Sequence, residues 1–538
     1  MRIELLTSVR VAEMARTIGA RFVAATLPFL MLVSAAPSPL YNGLFGDLRN
    51  TNFVSGATFP SLSAPPVATT WYPDLAASPP YVTINPFAGG AGSILVSSDN
   101  TVYSITNLAD AIQAYTVLQN GSIGSITVAS LASMTRYNWL PTPLPPLLSP
   151  VPIGSRAELT LYFAFTARIR DSMPVQIANV VVALDARSLA MIWIREIVPV
   201  DPSDVPRSLI LSADGATLVL ATVNGNSYNS TITVIDPATG TVTRDAQLPS
   251  NITACEGGSP WVGTSVLLES TTRDAAPLLV ITYGPNNGIP AFGSGCVYAV
   301  RLSGELIWAI PETTRTAPIS TSGLSLPTGS ADVIVLTNRG ALGLDRLSGA
   351  PVFNTSWGSL GSSSGISLDV WGTALAPLAS APAGTPSVAL MALTAWGKSW
   401  PAATVRAVDE VTGALLASRN IPHYADAGYN GYGALLAAKP TNGSGAALLV
   451  RGTNSLDASA YASVTDAPDD AFDSITLDYV FSCDTTPAGV AAACTFTPQG
   501  ERRGTFDGTV PGGAMLPLAG NGLLRVSTVN MQTMSGRA

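Results

Sequence analysis

The sequence predicts an all-β protein, a β-propeller of four-stranded blades, on three observations. Short β-branched runs alternate with turn clusters from about residue 90 onward, one hairpin cassette recurs five times, and breakers of helix are frequent. With 48 Gly and 41 Pro in 538 residues, a mostly helical chain is excluded. Charged residues make up 12% and hydrophobic ones 47%, which excludes a disordered chain as well.

The strand runs include SILVSS (93–98), VVVAL (180–184), TLVLATV (217–223), TITVID (231–236), LLVITY (278–283), DVIVLT (332–337) and ALLVRG (447–452). Val, Ile, Leu and Thr dominate each, and Gly, Asn, Pro or Ser bound it, which is the signature of short strands. The cassette is an apolar strand, Asp, two variable residues, Thr or Ser, Gly, then a second strand. It reads ALDARSLAMIW (183–193), VIDPATGTVTR (234–244), AVRLSGELIW (299–308), GLDRLSGAPVF (343–353) and AVDEVTGALLA (407–417). Asp accepts hydrogen bonds from turn amides, and Gly supplies the left-handed residue of a type I turn with a bulge. An aromatic four residues beyond the Gly position (Trp193, Trp308, Phe353) is placed to wedge between neighbouring sheets.

With further strands between copies, the unit is a four-stranded sheet, and such units stack radially. Units around 93–150, near 185, 236, 301, 345 and 409, and around 447–480 give seven blades, with eight open. The expected organisation is a signal peptide or uncleaved anchor at 1–35, a Pro/Ser-rich extended leader at 36–90, the propeller at 91–530 and a C-terminal tail at 531–538. A terminal strand such as LLRVSTV (523–529) is expected to close the ring and remove free sheet edges.

The cassette resembles the A-x-D-x-x-T-G-x-x-x-W repeat of the quinoprotein-like (pyrroloquinoline-quinone-type) β-propellers. The stretch 208–242 is also similar to lactonase-like propeller repeats. The resemblance implies the blade architecture. It also implies, as one alternative, a secreted hydrolase or oxidoreductase with carboxylates or calcium in a central channel. The sequence departs from the repeat at Leu189, which replaces Gly, and at Arg301, which replaces Asp; the second and fifth copies lack the Trp. No Cys-Cys pair of the kind found in quinone-dependent dehydrogenases is present.

Compartment is read from the N-terminus. Phe22 to Ala36 is an uncharged apolar run preceded by four arginines. Fifteen residues span about 22 Å as a helix, short of a bilayer core of about 30 Å. The run suits a signal-peptide core with small residues after it; extended to Leu40, an uncleaved anchor is the alternative, and the only membrane attachment expected. Four cysteines fit an exported chain, paired locally as Cys255–Cys296 and Cys483–Cys494, or else left as buried thiols. Sequons for N-glycosylation occur at Asn120, Asn229, Asn251, Asn354 and Asn442.

Chemistry is sparse. His423 is the sole histidine, within an aromatic loop that carries Tyr424, Tyr429 and Tyr432 and reads as a possible binding loop or as ordinary blade packing. Asp466, Asp469, Asp470 and Asp473 are weak candidates for calcium, without the alternation of an EF-hand loop. GSSSG (361–365) lacks the helix that a nucleophile elbow at Ser363 needs. A net charge of −8 excludes a nucleic-acid partner. No cofactor is expected, with calcium open. The expectation is an exported, non-catalytic glycoprotein that engages a protein or glycan at a propeller face.

Overall fold

The computed structural model describes residues within 39–535, apart from a set of connecting segments of which 72–93 and 455–471 are the longest. The described residues form eight sheets, numbered here in chain order. Sheet 1 comprises Ile94–Ser97, Thr101–Ile105, Ala111–Val117 and Ile123–Ser130. Sheet 2 comprises Tyr137–Trp139, Leu147–Leu148, Thr160–Ile169, Ile177–Asp185 and Met191–Ile197. Sheet 3 is Asp204–Leu211, Leu218–Asn224, Ser230–Ile235 and Val242–Gln247; sheet 4 is Val262–Leu268, Leu278–Tyr283, Cys296–Arg301 and Leu306–Pro311. Sheet 5 is Ile319–Ser320, Val333–Leu336, Gly340–Leu344 and Pro351–Ser356; sheet 6 is Leu368–Ala376, Val388–Ala395, Thr404–Asp409 and Leu415–Asn420. Sheet 7 is Asn430–Lys439, Ala446–Asn454, Phe472–Thr485 and Ala491–Thr505, and sheet 8 is Ala514–Leu518, Gly522–Val526 and Asn530–Ser535.

This is an all-β propeller of four-stranded blades. The expected count of seven blades, with eight open, is corrected. Among the described residues six of the sheets (1 and 3 to 7) are built on an uninterrupted meander of four antiparallel strands. In sheet 2 the first strand is split, Leu147–Leu148 pairing with Leu161 and Tyr162, and Tyr137–Trp139 with Ala167 to Ile169. Sheet 8 is a three-strand meander completed by an N-terminal strand, Ala68–Trp71, paired with Asn530–Ser535. Inner strands as short as Ile319–Ser320 and Leu147–Leu148 have no periodicity from which to count.

Stacking of the sheets follows from alternation along each strand. In Thr160–Ile169, Phe163 and Phe165 join a buried cluster with Leu95, Tyr103 and Ile112 of sheet 1. Tyr162 and Ala164, one residue out of phase, join Leu209, Leu218 and Leu220 of sheet 3. Strands buried on both faces are near-continuously apolar for this reason. Further clusters join sheets 3 and 4, 4 and 5, 5 and 6, and 6 and 7.

The cassette forms the last hairpin of its sheet. In the turn at Asp236, Oδ1 accepts from the amides of Ala238 and Thr239 at 2.8 and 3.3 Å, while the Gly240 amide donates to the Asp236 carbonyl at 2.8 Å. Asp185, Asp345 and Asp409 repeat the pattern, and each of these hairpins carries a bulge at the same step. Gly240 sits at φ +70°, and a Cβ there would lie 2.7 Å from the Trp193 ring of sheet 2. The aromatic of one sheet thus rests on the turn glycine of the next: Trp193 on Gly240, Trp308 on Gly349, Phe353 on Gly413. The indole closes the contact, Trp193 Nε1 donating to the Pro237 carbonyl at 3.0 Å and Trp308 Nε1 to that of Arg346 at 2.8 Å. Leu189 itself adopts φ 55° and is buried in the cluster shared with sheet 1. Gly240→Ala is expected to destabilise the protein by about 2–4 kcal/mol, from backbone strain and overpacking. A urea midpoint equal to wild type would refute that packing.

The segment expected to be a leader supplies three strands. Pro39–Tyr41 adds to the first strand of sheet 1, Phe53–Thr58 lies parallel on the first strand of sheet 7, and Ala68–Trp71 completes sheet 8. Leu523 to Val526 of the expected closing strand lie in the middle of sheet 8, with Ala68–Trp71 at its edge. Strand structure also runs into the expected tail, through Asn530–Ser535. The apolar N-terminal segment lies outside the described residues, among which no helix is long and apolar enough to cross a membrane.

Candidate functional site: the axis and the outer rim

The first strand of each sheet faces the propeller axis. The last strand lies outermost, as the exposed face of Val242–Gln247 shows. Residues 47–54 run along the inner strands. Asp47 shapes this segment: Oδ1 accepts from the amides of Arg49 and Thr51 at 3.0 and 2.8 Å, and Oδ2 from Thr51 Oγ1 at 2.5 Å. Burial raises the Asp47 carboxyl above its usual range, against the lowering effect of those bonds. Asn50, at φ 59°, donates from Nδ2 to the Ser265 carbonyl of sheet 4 at 3.2 Å. The Arg49 carbonyl accepts from Ser320 of sheet 5 at 3.0 Å, and that of Thr51 from Leu375 of sheet 6 at 2.7 Å. Leu48 packs on the cluster of sheets 2 and 3, and Phe53 on that of sheets 6 and 7. One short stretch therefore bonds to the first strands of sheets 4, 5 and 6 in turn and pairs with that of sheet 7.

The sequence candidates for chemistry do not converge among the described residues. His423, Tyr424, Tyr429, Asp466, Asp469, Asp470 and Ser363 lie outside them, and of Tyr432 and Asp473 only the backbone is described, on the first and third strands of sheet 7. Among the described residues no three His, Cys, Asp or Glu side chains gather as a metal ion would need. Cys483 and Cys494 form a disulfide across the paired strands of sheet 7. Cys296 is disulfide-bonded too, while Cys255 lies outside the described residues. Of the sequons, Asn120 and Asn354 are described and both are exposed; Asn229, Asn251 and Asn442 are not described. Asn120 stands at a hairpin tip, its Oδ1 accepting from Ser122 N and Oγ at 3.0 and 2.7 Å.

One polar centre was not anticipated. Arg301, at the cassette position where the other copies have Asp, donates from NH1 to both carboxylate oxygens of Asp274 at 2.8 and 2.7 Å. Arg346 of sheet 5, 1% exposed, places Nε 3.9 Å from the same carboxylate. The hydrogen bond from Arg301 foremost holds the Asp274 carboxyl below its usual range. The signal was there in the Asp-to-Arg departure, which calls for a carboxylate nearby. The centre joins sheets 4 and 5 and has the character of a structural lock.

The outer rim differs from the axis. Five successive sheets carry an exposed apolar residue at the first or second position of their outer strand, Met191, Val242, Leu306, Val352 and Leu415, each between 37 and 42% exposed.

No protein-family model and no curated protein matches the chain. Among solved structures it is similar to a europium-containing methanol dehydrogenase, with a TM-score of 0.45 and 11% identity over 85% of this chain and 92% of that one. It is similar also to the C-terminal WD40 domain of Sif2 (TM-score 0.40, 9% identity, 85% and 95%). A third is the quinohemoprotein alcohol dehydrogenase of Comamonas testosteroni (TM-score 0.38, 11% identity, 95% and 82%). Likeness at this level says nothing of chemistry, and the architecture rests on the pairing described above.

Proposed function

We propose that the protein is an exported, non-catalytic propeller glycoprotein that acts as a binding or scaffolding module at a cell or particle surface, engaging a protein or glycan partner. The observation that carries this reading is the segment around residues 47–54, which bonds to the first strands of sheets 4, 5 and 6 and so leaves the outer strands and surface loops for contact. Asp47, the acidic group those residues bring to the axis, is engaged by its own turn. The repeated apolar residues of the outer strands and the exposed Asn120 and Asn354 support a rim that meets partners and carries glycans. The apolar run at 22–36 and the disulfide support export.

The test is isolation from the native source under mild conditions, after chemical crosslinking. The expected result is a complex well above 55.3 kDa, with an N-glycosidase-sensitive shift in the mass of this chain. Recovery as a lone chain with stoichiometric calcium or a quinone chromophore would overturn the reading in favour of a lactonase-like or quinoprotein-type enzyme.

A further inference from the structure

The outermost strand of each sheet is an open edge: among the described residues no strand pairs beyond it. Such an edge offers a row of amides and carbonyls to any other strand, and folded proteins blunt it with charge, proline, shortness or cover. Most edges of this ring are blunted in that way. Arg195, Arg244, Arg419 and Arg502 lie on the outer strands of sheets 2, 3, 6 and 7. That of sheet 4 is bracketed by Glu305 and Glu312, and that of sheet 8, Ala68–Trp71, has only four residues.

Two of the longer edges have no charge on the strand or beside either end: Ile123–Ser130 of sheet 1 and Pro351–Ser356 of sheet 5. Both also show apolar side chains to solvent. Ile126 and Val128, on one face of the first, are 37 and 44% exposed, and Val352 of the second is 39% exposed. From Ile126 to Ala129 the pairing with the neighbouring strand is regular, so that edge is laid out evenly for a further strand. These are also the edges that hold the two described sequons. Asn120 stands in the turn that leads into the first, and Asn354 lies within the second; both are exposed. Asn120 spends only Oδ1 on Ser122, and the Asn354 side chain makes no hydrogen bond among the described residues, so Nδ2 is open at both sites. Leu342, across the ladder from Asn354, joins the cluster shared with sheet 4, whereas Phe353 joins that shared with sheet 6. A glycan on Asn354 therefore leaves the contact of Phe353 with Gly413 undisturbed.

We propose that N-linked glycans on Asn120 and Asn354 guard these two edges, doing by bulk and hydration what charged residues do on the others. The proposal rests on the reading of the chain as an exported glycoprotein. What the glycans exclude is a second copy of this chain, because an uncharged strand can pair with its own copy without desolvating a charge. The test compares full-length chain bearing high-mannose glycans with the same protein trimmed by an endoglycosidase that leaves one sugar and so adds no charge. An Asn120→Gln, Asn354→Gln double variant repeats the comparison with no sugar at either site. Glycopeptide mass spectrometry reads occupancy, and sedimentation velocity over a concentration series reads association. The expected result is that both sites are occupied and the intact chain stays monomeric, while the trimmed and Gln-substituted chains rise to twice the monomer mass or more. Val128→Lys with Val352→Lys, which puts a charge on each edge, is expected to keep the trimmed chain monomeric. Bare Asn120 and Asn354 on the secreted protein would overturn the proposal together with the glycoprotein reading at these sites. Occupied sites with trimmed and Gln-substituted chains that stay monomeric, or that associate equally with and without the lysines, would overturn the guarding role alone.

Discussion

Trp308→Ala is expected to destabilise the protein by about 3–5 kcal/mol, the range for emptying a buried aromatic site. The ring is 7% exposed and rests on Gly349 of the next sheet. Gly349 at φ +65° presents bare backbone to the ring, and a Cβ there would lie 2.6 Å from it. The truncation also removes the donor that the Arg346 carbonyl uses at 2.8 Å. Trp308→Phe separates the two effects: it keeps most of the apolar area, loses the indole bond, and is expected to cost about 1–2 kcal/mol. Urea unfolding of the full chain reads both. If the two variants cost the same, the wedge contributes little and cohesion between sheets must come from the aliphatic clusters.

Asp274→Asn is the second large effect, about 3 kcal/mol, because it cancels a buried carboxylate that faces two guanidinium groups and leaves their charge uncompensated at that point. The pH dependence identifies it. The folded carboxyl lies below its ordinary 3.8, so its contribution is present above about pH 4 and is lost as pH falls through the folded value. Wild type should lose this stability on acidification, whereas the variant, already without it, should show a shallower acid limb in a series of urea midpoints from pH 2.5 to 6. A variant with an unchanged acid limb would show that the Arg301 contact is a solvated pair of little weight.

Much of this architecture was legible because its local parts declare themselves. The Asp, Ser/Thr and Gly of the cassette each meet a requirement of a bulged hairpin turn, and the aromatics announced where neighbouring sheets meet. The Asp274 centre was not found, because its members are spaced 27 and 72 positions apart in a chain without a local pattern linking them. The number of blades escaped for another reason: inner strands of two or three residues have no period to read. The strands of the 36–90 region were hidden likewise, since they are held mostly through backbone groups, which every residue carries.

Those same strands constrain how the molecule is made. Phe53 and Val54 pair with Ala437 and Ala438, Ala68 to Trp71 with Asn530 to Thr533, and the Ala519 amide donates to Asn100 Oδ1 across 419 positions of chain. Residues 53–54 and 68–71 must wait, without these partners, until 437–438 and 530–533 have left the ribosome. Until then the nascent chain presents unfinished edges and a bare apolar interior, so slow maturation, a need for chaperone shelter and sensitivity to C-terminal truncation are built into the order in which the polypeptide emerges.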